Sequence, residues 1–480
     1  MRIARLVVAF FLAAYSGTAF AGGPPPSLFV EGYTNRLSYV PGEEVAFHIS
    51  TSAKQFEVEI ARVGAEREVV WTKDKVEGAA HPIPENASSH GCGWPVSFQM
   101  PIPADWKSGY YSVVLRVSDR GGKFVHRNPR TAEGGLFFVV RSAAPGRDAK
   151  ILIQLATNTY NAYNNWGGSS LYIGQGRAKL QGHRVSFHRP QMPTVREGKL
   201  RWFFAKWEEP FVAWAESKGY RLDYAVNSDL EFHPEILEHY RLVLSVGHDE
   251  YWSAPMRDNL ETFIGKGGNV AFFSGNSVCW QVRSEDDGAA LVCWKQWYNQ
   301  DPVYASGDHR LLTSLWSHHL VGRPENTLTG VGFLHGGYHK SHGQFMDGSG
   351  AFTVHRPEHW LFEGTGMENG GTFGAKDTIV GYECDGCEIQ MVDGKPEPTR
   401  RDGTPKNFVI VATAPARWHP ADCKWYERWE KGRIGAAVMG SYTRGGIVVT
   451  VGTTDWPHGL RGADPVVERI TRNVLDRLGR

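Results

Sequence analysis

Short apolar runs alternate with helical patterns between residues 151 and 275, and this alternation constrains the fold more than any other feature of the chain. The first run, Ile151 to Leu155, is continuous and apolar, as in a strand that is buried on both faces of a parallel sheet. Further runs lie at 222–225, 242–246 and 270–274, and helical patterns lie at 206–218 and 255–266. Strands that alternate with helices predict an α/β layer built on a parallel sheet.

The chain on either side of this region has a different pattern. Short alternating strands separated by Pro-Gly, Gly and Asn clusters predict an all-β sandwich domain over residues 27–142. A linker at 143–148 then separates it from an α/β domain over residues 150–480. Late in the chain the pattern predicts more strands and a closing amphipathic helix, at 378–382, 408–412, 436–439, 446–451 and 466–478.

The N-terminus is typical of an export signal. A short basic start is followed by an apolar run and by Ala19-Phe-Ala21, a small-residue cleavage motif. We therefore expect a signal peptide over residues 1–21 and a periplasmic or secreted protein. No later segment is long and apolar enough for a membrane span, so we expect no membrane contact once the leader is removed.

The charge balance argues against nucleic-acid binding. The chain has 52 Lys and Arg residues against 51 Asp and Glu residues, a net charge of +1. A nearly neutral chain has no general field that would attract a polyanion. We therefore expect a small molecule rather than a nucleic acid as the partner, with a homo-oligomer left open.

The 6 cysteines suit an oxidising compartment without defining their pairing. Cys384 and Cys387 form the only close pair, and one such pair is weak evidence for zinc. We expect a local disulfide, or a pairing with Cys423, before a metal site. The run from Ser317 to His319 has no third ligand nearby in the sequence, so surface or loop histidines are expected there.

Polar residues follow three of the predicted strands. Tyr160, Tyr163 and Tyr172 come after the first strand, the run from His248 to Trp252 follows the third, and Asn276 follows the fourth. Ligands in open α/β sheets bind outside the carboxyl ends of the strands. Buried phenols and carboxylates at one edge are costly unless a partner offsets them, and a hard cation suits these oxygen donors.

Each of these residues has a simpler interpretation. The tyrosines are common packing residues of a Gly-rich loop, the acidic run suits the first turn of a helix, and Asn276 suits a turn. Their joint placement is the stronger argument. The motifs of serine hydrolases, HExxH metalloproteases, P-loop proteins and dinucleotide-binding folds are missing from the sequence.

The same motifs resemble the catalytic region of the N,N-dimethylformamidase large subunit family, over roughly residues 150 to 480. The resemblance rests on five short motifs in order: Tyr160-Asn-Ala-Tyr163-Asn with Ser170-Leu-Tyr172, Gly247-His-Asp-Glu-Tyr-Trp-Ser253, Ser274-Gly-Asn276, Val292-Cys-Trp-Lys295 and Val380-Gly-Tyr-Glu383. It implies a β-rich domain beside an α/β domain of the glutamine-amidotransferase-like or flavodoxin-like type.

The resemblance also implies a site. It places a mononuclear ferric iron (Fe³⁺) on Tyr163, Tyr172 and Glu250, with Tyr160 as the competitor for the first position. It assigns catalytic roles to His248, Asn276, Lys295 and Glu383. The leader, the small N-terminal domain and the lack of a visible small-subunit partner depart from the amidase itself, which leaves the substrate open.

Two functions from different classes remain open on the sequence. The first is an exported iron-dependent hydrolase of a small amide C–N bond, in which the metal polarises the carbonyl or activates water and Glu383 takes the proton. The alternative is a binding protein for a sugar or a peptide on the same fold. A third hypothesis is the same iron acting on another bond. The presence of both tyrosines and the glutamate favours the enzyme.

Overall fold

A computed structural model describes residues 27–119, 130–174, 181–192, 194–196, 199–201, 203–341, 344–345, 350–418, 424–428 and 433–480. The predicted signal peptide and Cys423 lie outside the described residues. Within the described part of the chain, none of the helices has the length and apolar character needed to cross a membrane.

The N-terminal part consists mainly of strands. Its elements are β1 Val30–Thr34, β2 Ser38–Tyr39, β3 Glu44–Thr51, β4 Gln55–Val63, β5 Arg67–Glu77, α1 Ala87–His90, β6 Phe98–Pro101, β7 Gly109–Asp119 and β8 Arg130–Val140. They form one sheet in the order β1-β3-β6 and a second in the order β2-β8-β7-β4-β5. The two sheets share an apolar core in which Phe47 and Phe98 stack at 4.3 Å between ring centroids.

The middle of the chain alternates strands and helices. Its elements are β9 Ile151–Leu155, α2 Thr157–Tyr163, β10 Arg184–Ser186, β11 Thr194–Arg196, β12 Lys199–Arg201, α3 Phe203–Lys206, α4 Glu208–Ser217, β13 Leu222–Val226, α5 Asn227–Phe232, β14 Leu242–His248, β15 Tyr251–Ser253, α6 Ala254–Gly265, β16 Asn269–Gly275, β17 Trp280–Glu285 and β18 Ala290–Val292.

The last part contains α7 Asn326–Thr329, β19 Gly332–Gly337, β20 Lys340–Ser341, β21 Gln344–Phe345, β22 Phe352–Val354, β23 Thr372–Phe373, β24 Cys384–Gly386, β25 Ile389–Val392, β26 Lys395–Pro398, β27 Val409–Arg417, β28 Ile434–Arg444, β29 Gly446–Thr450, α8 Trp456–Arg461 and α9 Pro465–Leu478. Short 3₁₀ helices lie at Trp166–Gly168, Pro234–His239, Asp286–Gly288, Lys295–Gln300, Tyr304–Ser306, His309–Leu311 and Trp360–Phe362.

The predicted flavodoxin-like or glutamine-amidotransferase-like parallel sheet is wrong as a description of the fold. The central sheet has the order β13-β9-β14-β16-β29-β28-β27-β22-β23. Its first five strands pair in parallel, whereas the remaining strands are antiparallel. With its further small sheets, the chain is β-rich and its largest sheet is mixed.

The hairpin between β28 and β29 explains why the pattern was misleading. Gly445 alone separates the two strands and adopts φ 79°, a left-handed conformation that glycine reaches without strain. The reversal makes the strands antiparallel. Both strands were expected from their apolar runs, but an apolar run carries no information about strand direction.

Successive residues of the central strands belong to two separate hydrophobic cores, one on each face of the sheet. Ile153 of β9 lies in a core covered by α4, α8 and α9, whereas Leu152 lies in a core covered by α5 and α6. Successive side chains of a strand point to opposite faces, so both faces of this part of the sheet are buried. The continuous apolar run at 151–155 reflects this burial.

The N-terminal sheets pack against the rest of the chain rather than standing apart. Val63, Tyr110 and Phe137 belong to the same core as the central strands. The Tyr110 ring stacks on Phe204 at 3.9 Å between centroids. The fold therefore forms one continuous packed unit across the predicted linker.

Candidate metal and active site

The carboxyl ends of three neighbouring strands define the site. In the sheet, β14 pairs in parallel with β9 on one side and with β16 on the other, and His248 lies opposite Gly275. Parallel neighbours end at the same edge, so the polar segments that follow them come together. The predicted meeting of these three loops is confirmed.

Backbone conformation at Gly247 allows the end of β14 to pass close to an aromatic side chain. Gly247 has φ 80°, and a Cβ atom there would lie 2.3 Å from Cβ of Trp207. Neither the conformation nor the space suits a larger residue. The glycine thus holds the next residue, His248, beside the Trp207 ring at 5.4 Å between centroids.

The three predicted metal ligands lie in one cluster. The Tyr172 hydroxyl donates to Oε1 of Glu250 at 2.8 Å, and the rings of Tyr163 and Tyr172 are 4.3 Å apart between centroids. The Tyr163 hydroxyl lies 3.3 Å from Nε2 of His248. The sequence separates these tyrosines from Glu250, and the edge of the sheet brings them together.

Tyr160 occupies a different environment from Tyr163. Its hydroxyl donates to the buried carboxyl of Glu208, and its ring packs against Phe137 and Phe203. Tyr163, at the end of α2, instead faces Tyr172 and His248. Of the two competing tyrosines, Tyr163 is therefore the one placed beside the other predicted ligands.

His248, Asn276 and Glu383 form a second set of contacts in the same cluster. Nε2 of His248 lies 3.0 Å from Oε2 of Glu383 and 3.5 Å from Oε2 of Glu250. Nδ2 of Asn276 donates to the same Oε2 of Glu383 at 3.2 Å. The imidazole thus lies between two carboxylates, and one of these is further held by an amide.

Lys295 is a buried cation surrounded by aromatic rings. Its Nζ lies 3.2 Å from the centroid of the Tyr172 ring and 4.9 Å from that of Trp280. Nζ has no hydrogen-bond partner among the described residues. The structure therefore brings all seven predicted site residues together, and Lys295 contributes its charge through the ring faces.

The protonation equilibria of the cluster are shifted by burial. Burial holds the pKa of the Tyr163 and Tyr172 phenols well above its ordinary value, and the Glu250 carboxylate adds to the shift. Burial lowers the pKa of Lys295 to about 8 against the opposing effect of Glu250. For His248, burial acts to lower the pKa, but Glu383 and Glu250 raise it overall.

One buried carboxylate oxygen without a hydrogen-bond partner among the described residues suits a hard cation. Oε1 of Glu250 accepts hydrogen bonds from Tyr172 and from Nε1 of Trp280 at 2.7 Å, whereas Oε2 is buried with no hydrogen-bond partner among the described residues. A cation beside Oε2 would satisfy it and would favour the phenolate forms. Carboxylate and phenolate oxygens are ligands that suit a hard ion.

Three residues that contact the site were not predicted from the sequence. The Tyr251 hydroxyl donates to the Tyr172 hydroxyl at 2.6 Å, Trp280 donates to Glu250, and Trp425 packs on Tyr172 at 5.8 Å. Tyr251 directly follows Glu250, so its position in the motif was a usable signal. Trp280 and Trp425 reach the site through tertiary packing, which no local pattern indicates.

The expected local disulfide is not present in the described part of the chain. Cys384 and Cys387 are free, buried thiols, as are Cys92, Cys279 and Cys293. Burial raises the pKa of Cys387, so its neutral form is favoured. A disulfide between Cys384 and Cys387 is therefore wrong for this structure, and these thiols pack as small apolar groups.

A large surface cleft lies away from this cluster. Its volume is about 780 Å³, and its lining includes Arg241, Asn269 and Arg480. Arg241 directly precedes β14 and Asn269 begins β16, so the cleft lies at the amino ends of the strands. The cluster described above is at their carboxyl ends.

Known proteins resemble this chain over most of its length. Residues 57–470 match the family described as N,N-dimethylformamidase beta subunit-like, C-terminal. The N,N-dimethylformamidase beta subunit of Alcaligenes sp. is 23% identical over 390 residues, and that of Paracoccus aminophilus is 22% identical over 388 residues. Each match covers 67% of this chain but 44% of the relative, so the chain spans less than half the length of these relatives.

Among solved structures, Spo0M, a sporulation control protein from Bacillus subtilis, matches 25% of this chain and 51% of its own at 16% identity. Its TM-score of 0.17 is too low to inform the fold. The family match is far more extensive, since it runs from within β4 to within α9 and includes every residue of the cluster. The chain belongs to the N,N-dimethylformamidase beta subunit-like family.

Proposed function

We propose that this protein hydrolyses the C–N bond of a small amide, with a ferric ion held by Tyr163, Tyr172 and Glu250. Two relatives are named as N,N-dimethylformamidase beta subunits, which makes N,N-dimethylformamide the first substrate to test. The observation that carries the proposal is the position of His248. Its Nε2 lies between Oε2 of Glu250 and Oε2 of Glu383, at 3.5 and 3.0 Å.

The ligand assignment is supported by donor chemistry. Two phenols and one carboxylate provide three oxygens that become anionic, which suits ferric iron better than zinc, an ion that prefers nitrogen and sulfur. When bound, such an ion supplies the Lewis acidity that polarises a carbonyl or acidifies a water molecule. Trp280 and Tyr251 would hold Glu250 and Tyr172 in place, through their hydrogen bonds of 2.7 and 2.6 Å.

Glu383 is proposed as the general base. Its Oε2 is fixed by contacts with Asn276 at 3.2 Å and His248 at 3.0 Å, so the carboxylate is held in one orientation. A fixed carboxylate in a buried site can take a proton from water during attack on the carbonyl carbon. His248 and Asn276 lie beside it and would orient the reacting groups or stabilise the developing oxyanion.

Lys295 is proposed to balance charge. It is buried over the Tyr172 ring, and Glu250 acts to favour its charged form. A cation at this position favours the anionic form of the neighbouring ligands without itself contacting substrate.

Metal content separates this proposal from a binding function. Tyr163→Phe, Tyr172→Phe and Glu250→Gln should each lower the iron content measured by elemental analysis, because each removes an oxygen donor or its charge. Tyr160→Phe is the matched control, since this tyrosine bonds to Glu208 instead, and it should retain iron. Full iron in both Tyr163 and Tyr172 variants would overturn the ligand assignment.

Turnover is tested on a panel of amides scored for released amine. Wild-type protein with iron should release dimethylamine from N,N-dimethylformamide or an amine from another small amide. A protein that holds iron but releases no amine from any member of the panel would contradict amide hydrolysis. That result would instead favour a reaction in which the same iron acts on another kind of bond.

Export is a separate proposal. We infer from the basic start, the apolar run and the Ala19-Phe-Ala21 motif that residues 1–21 are removed during export to the periplasm or the exterior. Mass spectrometry of the exported protein should give an N-terminus at Gly22. An intact Met1 on exported protein would contradict this.

A further inference from the structure

Two adjacent histidines meet a glutamate from a distant part of the chain. His318 and His319 lie between the 3₁₀ helix His309–Leu311 and α7, and Glu427 lies in the described segment 424–428. Oε1 of Glu427 is 3.4 Å from Nε2 of His318 and 3.6 Å from Nδ1 of His319. The sequence predicted no third ligand for these histidines, and the fold supplies one.

The distances within this group suit a transition metal. The three ligand atoms all lie within 4.8 Å of one another. Zinc bonds to histidine nitrogen and carboxylate oxygen at about 2.0 to 2.2 Å, so two ligands of a tetrahedral ion are about 3.3 to 3.5 Å apart. The two nitrogen-to-oxygen separations, 3.4 and 3.6 Å, are already close to that edge length, and the two nitrogens lie within 4.8 Å of each other.

The nitrogen of His318 that faces the group makes no competing hydrogen bond with the described residues. Nε2 of His318 is buried and has no hydrogen-bond partner among the described residues, and its side chain is 1% exposed. The partly exposed Glu427 leaves access for the ion and for a water ligand.

A hydrogen bond to the other ring nitrogen of His318 opposes coordination. The backbone N–H of Leu320 donates to Nδ1 of His318 at 3.2 Å, which favours the tautomer with the proton on Nε2. A metal on Nε2 would displace that proton and cost this hydrogen bond. We therefore expect weaker zinc binding than at a site whose histidines already have the correct tautomer.

We propose that His318, His319 and Glu427 form a second metal site, which binds a divalent transition ion such as zinc through two nitrogens and one oxygen. This set of ligands is that of open zinc sites, with the fourth position left for water. The nitrogen-rich set differs from the all-oxygen set of Tyr163, Tyr172 and Glu250. The two sites should therefore select different ions.

The second site would act on the first through a short stretch of chain. Trp425, two residues before Glu427, packs on Tyr172 and on Trp280, at 5.8 and 6.0 Å between ring centroids. Nζ of Lys295 also lies 5.0 Å from its ring. An ion bound to Glu427 would thus restrict the motion of segment 424–428, whose Trp425 packs over the proposed active site.

Zinc binding to the full chain tests the site directly. Zinc is titrated in competition with a chromogenic chelator, using wild type, His319→Gln and Glu427→Gln; these two side chains are partly exposed, so the fold should tolerate the changes. Loss of a direct ligand should weaken one zinc equivalent by more than about tenfold. His233→Gln is the matched control, because His233 pairs with Glu235 at 3.6 Å on an exposed surface and belongs to no three-ligand group among the described residues.

Proteolysis supplies a readout that is independent of activity. Lys424 and Arg428 are exposed and flank Glu427, so trypsin can report on local opening of this segment. Zinc at 100 times its Kd should slow cleavage at both sites by up to about a hundredfold in wild type. The protection should be lost in Glu427→Gln and kept in Glu250→Gln, which leaves the second site intact.

Two results would overturn the proposal. If wild type, His319→Gln and Glu427→Gln bind zinc with equal affinity, or if none of them binds it, the group is an ordinary histidine–carboxylate contact. If zinc binds but tryptic cleavage at Lys424 and Arg428 is unchanged, bound zinc does not restrict the motion of segment 424–428, and that part of the proposal is wrong. Neither result depends on whether the protein hydrolyses amides.

Discussion

Nε2 of His248 lies 3.0 Å from Oε2 of Glu383, and both side chains are buried. The strand that ends at His248 belongs to the parallel half of the central sheet, whereas Glu383 directly precedes β24 in the later part of the chain. The loop around Glu383 is held by hydrogen bonds to residues after β29, among them that of Thr454 N–H to the carbonyl of Glu383 at 3.0 Å. The site thus combines the ends of the parallel strands with a loop that precedes β24, a strand of a separate small sheet.

Glu383→Gln should keep the metal and lose turnover. The amide retains the shape of the carboxylate but cannot take a proton, and general-base catalysis typically contributes about 10² to 10⁴ in rate. We therefore expect kcat to fall by at least about a hundredfold at unchanged iron content. Kinetics and elemental analysis on the same sample check this.

Glu325→Gln is the control for that variant, because Glu325 is an equally buried carboxyl that bonds to Ser317 instead. It should leave kcat within a few-fold of wild type. Iron loss in the Glu383 variant would instead make Glu383 a metal ligand.

Gly247→Ala should damage both stability and the site. The left-handed φ of 80° costs an L-residue of order 1 kcal/mol, and the new methyl would lie 2.3 Å from Cβ of Trp207. Overpacking typically adds about 1 to 3 kcal/mol. We expect a loss of about 2 to 4 kcal/mol in the free energy of unfolding, together with reduced activity as His248 shifts.

Gly219→Ala separates the two causes of that loss. Gly219 has φ 87°, but a Cβ atom there would meet nothing within 4 Å. The Gly219→Ala variant should therefore lose only about 1 kcal/mol in the free energy of unfolding, from the left-handed conformation, and should keep full activity. Equal losses in both variants, measured by urea unfolding, would contradict the close approach of Trp207.

Much of the site was predictable because its residues follow strands that the pattern reveals. The apolar runs at 151–155, 242–246 and 270–274 are three adjacent parallel strands in the structure, so their carboxyl ends had to meet. The identity of the proposed ligands came from the family resemblance. Periodicity alone did not distinguish Tyr163 from Tyr160; the structure shows only that their positions differ, because Tyr160 bonds to Glu208.

Other features could not be predicted, because long-range pairing has no local signature. The turn at Gly445 reverses the direction of the chain, so β28 and β29 run antiparallel. The pattern of apolar residues within a strand is the same in parallel and antiparallel pairs, so it could not reveal this reversal. The approach of Glu427 to His318, and of Trp280 to Glu250, likewise depends on packing between separate parts of the chain. Ligand spacing in a sequence detects only sites whose residues are close together along the chain.

Arg62→Ala should weaken the contact between the N-terminal sheets and the rest of the chain. Arg62 in β4 binds Glu216 in α4 with two hydrogen bonds of 2.7 and 3.1 Å, and the side chains are 16% and 15% exposed. Breaking a buried pair leaves an uncompensated charge. After allowance for partial exposure, we expect a loss of about 2 to 3 kcal/mol in the free energy of unfolding.

Urea unfolding checks this prediction, with Arg147→Ala as the control. Arg147 pairs with Asp148 at 2.9 Å, but these side chains are 72% and 61% exposed. Its removal should leave the unfolding midpoint unchanged, because water screens exposed pairs. A midpoint that is equally unchanged in Arg62→Ala would mean that this ion pair adds nothing measurable to the contact between the two parts of the chain.

Glu208 should make the protein less stable as the pH rises. Burial raises the pKa of its carboxyl to about 8 from 4.5, against the opposing hydrogen bonds from Tyr160 and from the Ala156 N–H. The folded protein therefore keeps this proton between about pH 4.5 and 8, whereas the unfolded chain releases it. The stabilisation is complete below pH 4.5 and is lost as the pH rises towards 8, by up to about 1.4 kcal/mol per pH unit.

Glu208→Gln should remove this share of the pH dependence. The amide is neutral at every pH, so the variant should unfold like wild type near pH 5 and gain relative stability as the pH approaches 8. The measurement is the difference in free energy of unfolding between variant and wild type at several pH values. A flat difference for Glu208→Gln would show that this carboxyl is ionised in the folded protein and that its burial is offset by other groups.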